Sequence, residues 1–213
     1  MKLTYKLTKL LVGLLIVSFG ISIMINANIG LSPWDVLHKG ISSVINISMG
    51  QAIILVSIVL TAIATIFGEK IGIGTICNTI FVGIFIDIIS KSKIIPTGTN
   101  FIIGFIMINV GMLIFAMGTC IYISCELGCG SKDAITILIN KVTKYTIKKV
   151  RCILEIIAIV IGVIMGSEFN IVTIYSAVVF GYYMQKSFDI LKINPHVLDH
   201  KSIKDLIKFR EIA

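Results

Sequence analysis

At 213 residues, 56% of them hydrophobic and 14% charged, with a mean hydropathy of +1.01, the chain falls well short of the charged share of about a quarter that soluble globular proteins carry. A soluble domain is excluded. The formal net charge of +8 would suit a nucleic-acid binder, but the Lys and Arg residues fall in connections and in the tail, where membrane topology accounts for them.

The apolar runs approach the 20 or so residues that a membrane helix needs, and they lack the alternation of a barrel strand. Lys2, Lys6 and Lys9 precede the first run, at about 10–28. That run is long and has no small-residue cleavage pattern, so it reads as a retained span and not as a signal peptide. Gly30-Leu31-Ser32-Pro33-Trp34-Asp35 follows. Ser32 suits a helix cap, Pro33 the first helical position and Asp35 the first turn, beside the positive end of the helix dipole. The helix it opens, to about residue 47, puts Leu37, Ile41, Val44 and Ile45 on one face and Asp35, His38, Lys39, Ser42 and Ser43 on the others. It is amphipathic and shorter than a span. Spans two and three are expected at about 51–67 and 73–89, joined by a turn in which Gly72 and Gly74 permit close backbone approach. Residues 91–100, with Pro96 and Gly98, read as a linker between a first unit at 1–90 and a second at 101–190.

The second unit repeats the first. Residues 10–90 lie on residues 108–188 without a gap, so that Gly30 meets Gly128, Asp35 meets Asp133, Gly68 meets Gly166 and Gly83 meets Gly181. Glycines and an acid are poor candidates for chance agreement in an apolar chain, and the pattern reads as a duplication. It predicts span four at about 101–124, a second amphipathic segment at 131–145, span five at 152–165 and span six at 171–184. A basic tail follows at 191–213, with a short surface helix around Ile203, Leu206 and Ile207. With the N-terminus cytoplasmic and the amphipathic segments not crossing, only Lys39, Lys91 and Lys93 of the 19 Lys and Arg lie outside, which places both termini inside. A three-span unit repeated in tandem inserts upside down the second time. The expected fold is therefore an all-α polytopic membrane protein of six spans, arranged as two inverted repeats, each with a short amphipathic or re-entrant helix after its first span.

Asp35 and Asp133 are the leading site pair, expected near opposite entrances of a pathway between the repeats, because inverted repeats carry equivalent residues to opposite faces; each either contacts a solute or ion or only complements a helix N-terminus. Ser32 and Trp34 accompany the first, and Lys132 stands opposite Trp34 in the repeat. Glu155 is an acid inside span five with no acidic mate, and such residues are candidates by default, although Arg151 one turn earlier offers an ion pair. Asn78 and Asn109 either line a polar path or bond between helices. Asp87 has Lys91 one turn on and reads as a surface ion pair. Gly30, Gly72, Gly74, Gly83, Gly128 and Gly181 are read as hinge or close-packing positions. The five cysteines read as reduced small hydrophobes, and His196 and His200 have ligand spacing but no second pair to complete a metal site. No phosphate loop, nucleophile elbow or His-Glu metalloprotease motif is present, so neither an enzyme nor a cofactor is expected.

Gly30-x-Ser32-Pro33-Trp34-Asp35, Gly72-x-Gly74-Thr75 with Gly83, and the echo Gly128-x-Gly130-Ser131-x-Asp133 together resemble the YczE/YitT group of bacterial integral membrane proteins, nearest the YczE-like branch. The resemblance covers the chain to about residue 191. It implies a multi-pass bacterial plasma-membrane protein without an established substrate, and it supplies no catalytic residue. The second half has Asn170-Ile171-Val172-Thr173 where Gly-x-Gly-Thr would be expected. The functional expectation is a small secondary transporter or facilitator. The alternative is a regulator, an assembly factor or the substrate-binding subunit of a larger importer. Expected partners are the bilayer, a small solute or ion, and either a second copy or another membrane protein, with no nucleic acid.

Overall fold

The computed structural model describes residues 3–69 and 71–193. His196, His200 and the tail helix lie outside them. Among the described residues eight helices follow in order: α1 Leu3–Asn26, α2 Pro33–Ile45, α3 Met49–Ile66, α4 Ile73–Ser92, α5 Phe101–Ile123, α6 Ser131–Thr143, α7 Ile147–Ile164 and α8 Ile171–Ile190. Each of α5 to α8 begins 98 positions after its counterpart among α1 to α4, as Ser131 does after Pro33. The helix pattern thus repeats with the offset at which the glycines match.

Four helices, α1, α3, α4 and α5, are long and apolar enough to cross a membrane. α7 and α8 have 18 and 20 residues, length enough, but α7 carries Lys148, Lys149, Arg151 and Glu155, and α8 carries Gln185, Lys186 and Asp189. α1 starts earlier than the apolar run because its first two turns hold lysines whose stems lie along the helix; Lys6 reaches Glu126 at 3.2 Å. α7 starts at Ile147 and not near 152 because Thr146 caps it, accepting from the Lys149 N–H. α2 and α6 have 13 residues each, about 20 Å of helix, too short for a hydrocarbon core of about 30 Å. They start at Pro33 and Ser131, as expected, but neither N-cap residue, Ser32 or Gly130, makes a side-chain cap.

α1 and α5 run antiparallel in close contact, and glycines permit it. A Cβ on Gly20 would lie 2.7 Å from the Gly111 carbonyl oxygen, and one on Gly118 would lie 2.9 Å from that of Gly13. Gly13 and Gly111, and Gly20 and Gly118, are also counterparts at the offset of the repeat, and they face one another across the α1–α5 contact. α4 flanks α1, and α8 flanks α5. Each short helix packs on the third helix of the other half: α2 lies on α7, with Val36 over Gly162, and α6 lies on α3. Isoleucines face outward, Ile66 and Ile164 each 79% exposed, as lipid-facing surfaces require.

One equivalence fails. α3 packs along α4, where Gly50 and Gly83 are in backbone contact and Asp87 accepts from the Ser48 hydroxyl at 2.5 Å and the Gly50 N–H at 2.9 Å. Asp87 therefore holds the start of α3; the Asp87–Lys91 surface pair does not form, because two donors from a neighbouring helix take the carboxylate first. α7 has no comparable packing on α8, and a Cβ on Gly181, the counterpart of Gly83, would meet nothing within 4 Å.

The loops before α2 and α6 dock alike by different chemistry. Gly30 (φ 153°) and Gly128 (φ 126°) hold conformations that favour glycine. Gly128 sits on the start of α4, where the Gly74 N–H donates to the Leu127 carbonyl at 2.7 Å; Gly30 sits on the start of α8, where the Asn170 side-chain amide donates to the Ile29 carbonyl at 2.9 Å. Ile29 and Leu127 are repeat counterparts. The departure at 170–173 thus replaces a backbone donor with a side-chain donor and keeps the contact. Asn170→Ala is expected to lose about 1 kcal/mol and to lower the unfolding temperature in detergent by about 2–4 °C.

Candidate functional site

The starts of α2 and α6 meet at the centre of the molecule. The Lys132 ammonium lies 4.9 Å from the centre of the Trp34 ring, a cation–π contact between residues that are counterparts in the repeat. Around this point lies a cavity of about 440 Å³ whose wall includes Ser32, Trp34, Asp35 and His38 from α2 and its approach, Lys132 and Asp133 from α6, Asn78 from α4, Thr119 and Tyr122 from α5, and Arg151 and Glu155 from α7. Its size is that of a small-molecule site.

Asp35 is 4% exposed. Its Oδ2 accepts from the Ser32 hydroxyl at 2.5 Å and its Oδ1 lies 3.3 Å from His38 Nδ1. Ser32 therefore serves the acid and not the helix N-terminus, for which it makes no side-chain cap. His38 is 1% exposed and its Nε2 has no partner, as is true of the Thr119 hydroxyl. Asp133 lies with the Tyr122 hydroxyl against Gly130, where a side chain would meet both. Among the described residues, neither Asp133 nor Lys132 has a hydrogen-bond or ion-pair partner. Glu155 accepts from Arg151 Nε at 3.1 Å, and Arg151 also lies 5.6 Å from the Phe180 ring centre, so the pair joins α7 to α8 beside the cavity.

The cavity thus gathers Asp35, Asp133, Glu155, Ser32, Trp34 and Asn78, so the two acids expected at opposite entrances line one site, because the starts of both short helices reach the same cavity. Asn109 lies apart from it: its amide donates to the Phe105 carbonyl, and its oxygen accepts from Tyr175 and Tyr183, tying α5 to α8. The glycines are packing positions around the site; Gly72 and Gly74 lie against Leu127, Gly83 against Gly50. Sequence reasoning passed over His38, although an acid and a histidine three apart on a helix are the available signal. Among the described residues, no three His, Cys, Asp or Glu side chains are grouped to hold a metal ion.

Residues 4–187 match a family described as a family of unknown function, DUF6198. The chain belongs to that family. The chain is also similar to an uncharacterised protein of Haemophilus influenzae, 28% identical over 188 residues, covering 88% of this chain and 85% of that protein. The uncharacterised membrane protein YczE of Bacillus subtilis is 27% identical over 177 residues, 82% and 81% of the two chains, and YyaS of the same organism is 27% identical over 185 residues, 85% and 91%. The YczE-like resemblance carried by the Gly-x-Ser-Pro-Trp-Asp stretch is borne out. No solved structure matches.

Proposed function

We propose that this DUF6198 protein is a small secondary transporter or facilitator of the bacterial plasma membrane, with six spans in two inverted repeats, both termini cytoplasmic, and the central cavity as its solute site. The observation that carries the reading is the meeting of two short helix N-termini, with their acids, at a cavity between the two halves. Inverted-repeat transporters build their sites from such interrupted helices, whose positive ends face the solute. The antiparallel α1–α5 pair and the contact of Trp34 with its own counterpart Lys132 support a two-fold axis through the centre. The unequal packing of α3–α4 and α7–α8 supports alternating access: one state holds the first pair closed and the second parted, and the repeat supplies the reverse. By the lysine distribution the parted side, at the start of α7 and the end of α8, is cytoplasmic.

The test is flux. Proteoliposomes are incubated with a small-molecule cell extract, and their contents are read by mass spectrometry. At least one solute is expected to enter faster than into empty liposomes, and Asp133→Asn is expected to slow its entry. Entry no faster than into empty liposomes for every solute would sink the reading.

A further inference from the structure

We infer that the cavity is built for a zwitterionic organic solute of the amino-acid class, its cationic group on Asp133, its anionic group on Lys132 between the two helix N-termini, and its apolar part along Trp34, Phe115 and Phe180. This rests on the cavity being the solute site. The first observation is that neighbouring residues, Lys132 and Asp133, present opposite charges to one cavity without pairing with each other or with another described residue. Buried charges are kept only where something answers them. Asp35 and Glu155 are answered within the protein, by Ser32 with His38 and by Arg151. Lys132 rests on the Trp34 ring and is attracted by the Asp35 and Asp133 carboxylates without a direct contact to either, and Asp133 has no hydrogen-bond partner among the described residues, so a cation and an anion stand side by side, each open to a ligand atom.

The second observation is the overall charge. The wall carries the carboxylates of Asp35, Asp133 and Glu155 against the cations of Lys132 and Arg151. Two helix N-termini add about half a positive charge each. The site is then balanced before a ligand arrives. A simple cation or anion would upset that balance in a medium of low dielectric constant, whereas a dipolar ligand answers both poles and adds no net charge. The third observation is independent of charge: His38 Nε2 and the Thr119 hydroxyl are buried on the same wall with no partner, which marks places for polar ligand atoms. The aromatic wall suits a large apolar side chain.

The full chain, purified in nanodiscs at neutral pH, is titrated with L-phenylalanine, L-leucine, phenethylamine and 3-phenylpropionate while its unfolding temperature is followed. A zwitterion is expected to raise it by about 5 °C at saturation, and the singly charged analogues by less than half as much. Asp133→Asn is expected to lose the zwitterion shift and to gain one with 3-phenylpropionate; Lys132→Gln is expected to gain one with phenethylamine. These gains of binding report on folded variants. An equal response to a singly charged analogue in the wild type, or no response to any amino acid, overturns the inference. Flux of some other solute class would leave the transporter reading standing without it, and zwitterion binding without flux would leave the site standing without the transporter.

Discussion

Gly20→Val is expected to separate α1 from α5 and to leave little folded protein. The added Cβ would sit 2.5 Å from the Phe115 nitrogen and 2.7 Å from the Gly111 carbonyl oxygen, both backbone atoms of a helix that cannot move alone. Overpacking against side chains costs about 1–3 kcal/mol; against two backbones we expect about 3–5 kcal/mol, enough to unfold a marginal protein. Size-exclusion profiles and unfolding temperature in detergent check it. Leu15→Val, on an exposed part of the same helix, is the control and should stay within about 0.5 kcal/mol of wild type. A folded Gly20→Val protein with an unchanged unfolding temperature would show that stability does not depend on the close approach of α1 to α5.

The second large effect is on flux, with stability spared. Gly181→Leu is expected to leave the unfolding temperature within about 2 °C of wild type, since nothing lies within 4 Å of its Cβ position, yet to cut solute flux at least about tenfold. The reason lies in the closed arrangement that the proposed mechanism requires: where α3 meets α4 through Gly50 and Gly83, α7 brings Lys148 to the place of Gly50. Closing α7 on α8 must seat the stem of a lysine there, and a side chain at 181 takes that space. Gly83→Leu, at the counterpart, is already in contact and should lose stability instead. Flux unchanged in folded Gly181→Leu would remove closure of α7 on α8 from the mechanism.

Much of this architecture was legible in the chain. Glycines and an acid recurring at one offset revealed the repeat that the helix starts follow, because turns and caps are the positions where residue identity matters most in an apolar chain, but the starts of α1 and α7 lie earlier than their apolar runs. Pro33 and Ser131 marked the short helices for the same reason. What the sequence hid was non-local. Asp87 has an obvious neighbour in Lys91, yet Ser48 and the Gly50 N–H, from another helix, hold it. His38 reads as one more polar residue on an amphipathic face until Asp35 and the packing of α2 on α7 enclose it. Asn109 is polar and mid-helix, as a pathway residue would be, but two tyrosines of α8 claim its oxygen. The parting of α7 from α8 is hidden as well, since Gly181 is the same residue as its counterpart Gly83 and yet has no neighbour.

The contact of Lys132 with Trp34 bears on how such a chain could arise. In a dimer of two separate, identical half-length chains, whatever residue stood at this position would have faced itself. Two lysines would repel, and two tryptophans would remove the cation that stands beside Asp35 and Asp133. Once the two halves have separate coding sequences, as in this chain, the two positions can differ, so a cation resting on an aromatic ring is a benefit that self-association of identical halves does not offer.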